Sequence, residues 1–111
     1  MKLFIAVSAM VLAAPQAWML ADGKGDPQAG KSVFQSTCRT CHGNQGEGNP
    51  AIAKALKVTI PNLGSKEVQS KTDEEFKKAI SEGKGAMKPV PGLSSKQVLD
   101  VVAFVRSLQK S

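Results

Sequence analysis

The 111-residue chain has no tyrosine, one histidine, one tryptophan and two cysteines. Two cysteines exclude a disulfide-rich scaffold, and a single histidine excludes any site that needs two imidazoles. Aromatic residues make up 5% of the chain, and only Phe34, Phe76 and Phe104 lie beyond residue 21. Apolar residues are unevenly spread as well. Seventeen fall within residues 1–21, which leaves the other 90 residues only about one-third apolar. That is thin for a self-supporting core in one small domain, where burial is already marginal. Something other than side chains is expected to fill the middle. Acidic residues are also few, 9 against 15 Lys and Arg, for a net charge of +6. The scarcity of aromatics and the lack of any binding motif exclude a nucleic-acid partner as the meaning of that charge.

What is present begins with residues 1–21. Lys2 precedes a nearly unbroken apolar run from Leu3 to Ala14, and Pro15 and Gln16 interrupt it before Ala21. This is the layout of a secretory signal peptide. The cleavage point is open: Ala21 has Met19 where a small residue is preferred, and Ala17 is an alternative. An uncleaved anchor competes with it, since about 18 apolar residues approach the length that spans a bilayer. Export is the expectation, with residues 22–111 as a single domain.

Along that domain, Asp26-Pro27 marks a helix start, with Asp as N-cap and Pro in the first helical position. Ala29, Val33 and Phe34 give the helix an apolar side, to about Cys38. Gly43 to Asn49 reads as a loop, and Pro50 to Lys57 as a short helix. Val58 to Ser65 is expected to be irregular. Thr72 with Glu75 forms a capping box, so a helix runs from Asp73 to Glu82 and stops at Gly83. Its inner stripe is Phe76, Ala79 and Ile80. Gly83 to Gly92, with three Gly and two Pro, excludes regular structure. Ser94 with Gln97 is a second box, opening a last helix that carries Val98, Val101, Val102, Val105 and Leu108 at helical spacing. The fold class is all-α, about four helices with long Gly/Pro-rich connections. Loops of this length are uncommon in a compact domain unless they act on something or wrap it.

The chemistry centres on Cys38-Arg-Thr-Cys41-His42. Cysteines at i and i+3 share one side of a helical turn, and the histidine follows directly. This is the attachment pattern of c-type haem, one per chain, bound covalently through Cys38 and Cys41. The thiols add to the two porphyrin vinyl groups, and His42 is held where it can bind iron. A thioredoxin-like pair would need a preceding strand. A zinc site would need a fourth ligand. A disulfide between residues three apart is sterically poor. With no second histidine, elimination leaves Met87 for the remaining iron position, because Met1, Met10 and Met19 all lie in the leading segment. The competing reading of Met87 is a gap-filler in the core.

These residues, with Pro61-Asn62-Leu63 and the terminal Phe104-Val-Arg-Ser-Leu108, resemble the class I cytochromes c, small exported bacterial electron carriers. The resemblance covers nearly all of residues 27–109. It implies the cytochrome c fold wrapped around one haem, with Cys38, Cys41, His42, Pro61, Leu63 and Met87 at the cofactor and His42 and Met87 on the iron. It implies that Gly30 and Phe34 cross the last helix near Phe104. A proline carbonyl is implied to accept the His42 Nδ1 proton. Pro61 is the better match, and Pro50 the other candidate. Lys88 stands between Met87 and Pro89, where many relatives have proline directly after the methionine.

The implied role is a periplasmic, monomeric single-electron carrier and not an enzyme, meeting redox donors and acceptors transiently. Two rivals remain: a ligand sensor with a labile methionine, and a cytochrome subunit of a respiratory complex anchored through its first segment. Lys84, Lys88 and Arg39 either form a positive rim for acidic partners or are ordinary solvated side chains.

Overall fold

A computed structural model describes residues 24–110. Among the described residues there are six helices and no strand. They are α1 (Pro27–Thr37), α2 (Arg39–His42), α3 (Pro50–Leu56), α4 (Lys66–Gln69), α5 (Asp73–Glu82) and α6 (Ser95–Ser107). The four longer helices are those the sequence predicts. The two extra ones are single turns, too short for apolar periodicity to register. None of the described helices is long and apolar enough to cross a membrane. The apolar segment 1–21 lies outside the described residues.

The starts follow local chemistry. The Asp26 carboxylate accepts from Gln28 N, Asn49 from Ala51 N and Ile52 N, and Ser65 from Val68 N. The Ser94–Gln97 box is complete. The Thr72 box is only half made: Thr72 Oγ1 accepts from Glu75 N, but the Glu75 carboxylate takes the Thr72 hydroxyl instead of its N–H. Helix α1 stops one residue short of the expected Cys38, and the backbone re-enters helix as α2. Between Gly83 and Gly92 the one pairing is a bridge between Lys84 and Met87.

Helices α1 and α6 cross in backbone contact. A Cβ built on Gly30 would stand 1.8 Å from Asp100 O, and one on Gly25 2.1 Å from Leu99 O. Only glycine permits that approach. Next to the crossing, Phe34 and Phe104 stack tilted at 5.0 Å between ring centroids. Phe34, Val101, Val102, Phe104 and Val105 are all buried around it.

A buried acid lies at the same place. Asp100 is 3% exposed, in the middle of an otherwise apolar stripe. Its carboxylate accepts from Asp26 N at 2.8 Å and pairs with Lys96 at 3.0 Å. Desolvation pushes the carboxyl up. The Asp26 N–H and Lys96 together outweigh it and hold the group below its ordinary value. The N-terminal end of α1 is thereby tied to α6 at the crossing.

Two outcomes are expected. Helix propensity alone makes Gly30→Ala stabilising by about 1 kcal/mol; the crossing makes it destabilising by about 1–3 kcal/mol, as urea unfolding would measure. Asp100→Ala strands the Asp26 N–H and costs about 1–3 kcal/mol at neutral pH. Because the folded carboxyl is depressed, its contribution is full above the ordinary aspartate value and is lost as pH falls through the folded one. Asp100→Asn keeps an acceptor but lacks this titration, so its stability falls less steeply with acid than that of the wild type.

Candidate functional site

The site is built first on the α1–α2 junction. Cys38 separates the two helices, its carbonyl accepting from His42 N at 3.0 Å. Cys38 is buried and Cys41 half-buried, and both thiols are free. Burial pushes the Cys38 thiol above its ordinary value; a contact from the Thr37 hydroxyl at 3.4 Å opposes this and nearby Cys41 adds to it.

The glycine loop that follows folds back over the end of α2. Gly48 N donates to His42 O at 2.7 Å, Asn49 N to Cys41 O at 2.9 Å and Asn49 Nδ2 to Thr40 O at 3.0 Å. These three bonds satisfy carbonyls that a helix end leaves open. Within the loop the Glu47 carboxylate accepts from Gln45 N at 2.8 Å, and backbone N–H groups hold it below the usual carboxylate range. Gly46 O in turn accepts from Leu63 N at 2.8 Å. The loop therefore joins the histidine turn to the segment that carries Leu63.

Met87 arrives from the opposite end of the domain sequence. Its backbone exchanges two hydrogen bonds with Lys84, both at 2.9 Å, across a turn in which Gly85 takes φ +57°. Val90 N donates to Ile80 O at 2.8 Å and pins the loop to α5. At Gly83, with φ +83°, a Cβ would lie 2.6 Å from Met87 O. Pro89 Cδ would lie 2.9 Å from that same Cβ position, so Gly83 is crowded from both sides of Lys88.

Cys38, His42, Leu63 and Met87 line one cavity. Phe34 from α1, Phe76, Ala79 and Ile80 from α5, and Val101, Val102 and Val105 from α6 complete the wall. The lining is almost wholly apolar. Of the candidate residues, Cys41 and Pro61 are not part of this lining, and Pro61 is exposed. The α5 and α6 members read in the sequence as ordinary core stripes. The same stripe faces the cavity, and the shortage of apolar residues and the long loops were the signals that pointed to an interior lined for something besides side chains.

His42 is the polar exception in this wall. Its Nδ1 is buried and has no hydrogen-bond partner, so the bond from His42 to the Pro61 carbonyl that the resemblance implies is not formed. Burial pushes the imidazole below its ordinary value, which keeps it neutral and its lone pair free for a metal. Its ring lies 6.3 Å from that of Phe34 between centroids, tilted by 41°. The Cys38 thiol, a neutral imidazole and a thioether on one apolar wall, with the Cys41 thiol three residues along the chain from Cys38, fit a covalently attached haem. Among the described residues no three His, Cys, Asp or Glu side chains gather as a metal cage would require.

The comparisons with known proteins agree with this geometry. The family described as Cytochrome C oxidase, cbb3-type, subunit III matches residues 25–105. A solved structure titled KustC0563 c-type cytochrome is similar over 73% of this chain and 98% of its own, at 27% identity and a TM-score of 0.64. Cytochrome CL from the marine methylotrophic bacterium Methylophaga aminisulfidivorans MPT shares the fold. There the match covers 96% of this chain and 74% of that one, with 23% identity and a TM-score of 0.60. No curated protein matches the chain. Haem-based electron transfer is the general function of such proteins. The chain belongs to the c-type cytochromes of the Cytochrome C oxidase, cbb3-type, subunit III family, and its fold is the all-α fold of the class I cytochromes c.

Proposed function

We propose that the protein is an exported single-electron carrier holding one haem, with Cys38 and Cys41 as thioether attachments and His42 and Met87 as the two iron ligands. The observation that carries this reading is that His42 and Met87, 45 residues apart in sequence, line the same apolar cavity with Cys38. When bound, the haem iron supplies the one-electron couple, and a His/Met ligand pair raises its potential. The chain's own part is to exclude water and keep both ligands still. The apolar wall from α5 and α6 does the first. The bonds on the His42 carbonyl and the Lys84–Met87 pair do the second. A site with both ligands in place has no position for substrate, which favours a carrier over an enzyme.

Partner contact is expected on the Met87 side. Lys84 and Lys88 are exposed there, and Arg39 is exposed beside the attachment cysteines. The neighbouring Lys71 pushes the Lys84 ammonium below its ordinary value, and Glu75 partly opposes this. Exposed cations on this rim attract acidic partners, and encounters of this kind are short-lived and salt-sensitive.

A second reading follows from the family description, which is that of an oxidase subunit. In that case residues 1–21 stay as an anchor and the electron moves within a complex.

Two measurements test these readings. Oxidised and reduced optical spectra of the haem-loaded protein are expected to show a weak near-infrared thioether-to-iron band that vanishes in Met87→Ala. The reduced wild type is expected not to respond to carbon monoxide. A high-spin spectrum or ready carbon monoxide binding would replace the carrier by a ligand sensor. The intact mass of the purified protein is expected to show a chain beginning near residue 22; a mass that includes residues 1–21 would favour the anchored subunit.

A further inference from the structure

One polar cluster takes no part in the haem chemistry. Arg106, near the end of α6, points three ways at once. Its Nη1 donates to Gln69 O at 2.6 Å, its Nη2 to Lys71 O, and its Nε to Asp73 Oδ1 at 2.9 Å. The guanidinium carbon lies 4.6 Å from the centroid of the Phe76 ring. Gln69 reaches the opposite way. Its Nε2 donates to Leu63 O at 2.8 Å and to Val105 O at 2.9 Å. Backbone carbonyls at 63, 69 and 71, which no strand or long helix satisfies, are thus bonded from two side chains. Leu63 and Phe76 stand at the two ends of this segment, and both line the cavity.

We propose that Arg106 and Gln69 are positioning residues, a clasp that holds residues 63–73 closed against α6 and keeps water from that side of the cavity. Beyond these bonds the segment is held at few points, one being Leu63 N to Gly46 O at 2.8 Å. Val68 is its buried apolar residue, α4 is one turn long, and the remaining backbone tie to the C-terminal end is Lys110 N to Gly64 O at 3.1 Å. A planar guanidinium with donors in fixed directions suits three acceptors at once, whereas a lysine ammonium supplies the charge without the fork. Arg106→Lys therefore separates the clasp from the cation.

The test is amide hydrogen exchange on the haem-loaded full chain, with the reduction potential as the second readout. The potential arm rests on the haem reading, and the exchange arm does not. In Arg106→Lys, exchange over residues 63–73 is expected to quicken about tenfold or more, while α1 and the middle of α6 keep their protection. The potential is expected to fall, because water beside the cavity favours the more highly charged oxidised iron. Gln69→Ala, which leaves every charge in place, is expected to act in the same direction. Wild-type exchange and potential in Arg106→Lys, or protection lost evenly over the whole chain, would overturn the proposal. So would a lowered potential with unchanged exchange. A chain that loads no haem would sink the functional reading, and exchange over residues 63–73 would still decide the clasp.

Discussion

The close crossing of α1 and α6 is the constraint on which the rest depends. Gly30 brings the two backbones together at Asp100, and no other residue type would fit there. The approach places Phe34 against Phe104 and directs Val101, Val102 and Val105 past the end of α1. Cys38 and α2 follow α1 directly, so the position of His42 is inherited from this contact. Asp100 secures the same point by a different force. Its carboxylate is buried where an apolar residue would otherwise stand, and it is tolerable there because the Asp26 N–H and Lys96 both serve it.

From that crossing the chain lines a space instead of filling it. Three parts that share no regular structure with the crossing close the remaining sides. They are the Leu63 segment, helix α5 and the Met87 turn. Each is held by hydrogen bonds at few points. Leu63 N reaches Gly46 O, Val90 N reaches Ile80 O, and Lys84 pairs with Met87. A domain with so little apolar side chain cannot hold such loops by burial alone. Polar ties and positive-φ glycines carry that task, and covalent attachment would retain a cofactor that burial in so small a protein could not. The arrangement suits one-electron transfer, in which the protein's contribution is to hold its ligands in one place.

Most of the elements were legible in the sequence because their signals are local. Asp26-Pro27, Ser94 with Gln97, and the stripe Val98, Val101, Val102, Val105 each report on a few neighbouring residues, and helices formed where they pointed. The single turns α2 and α4 left no such mark, since four residues cannot show a period. Asp100 was invisible for a related reason. An acid within a helix reads as solvent-facing, and its burial depends on the N–H of Asp26, 74 residues away. The cavity wall was half legible: Phe76, Ile80 and the α6 valines read as core, and which of them face the cavity is a property of how three elements meet.

The sequence by itself pointed to the chemistry. Cys38-x-x-Cys41-His42 has the spacing of a haem attachment because spacing along one helical turn is a local quantity, and Met87 was the candidate that elimination left. Only the tertiary structure decided that His42 and Met87 share a cavity, that Pro61 makes no hydrogen bond to the buried Nδ1 of His42, and that Arg106 and Gln69 tie residues 63–73 to α6. Those facts rest on how residues 19 to 45 positions apart are placed. No local spacing encodes such contacts, because they exist only once the α1–α6 crossing has set the distance between the segments.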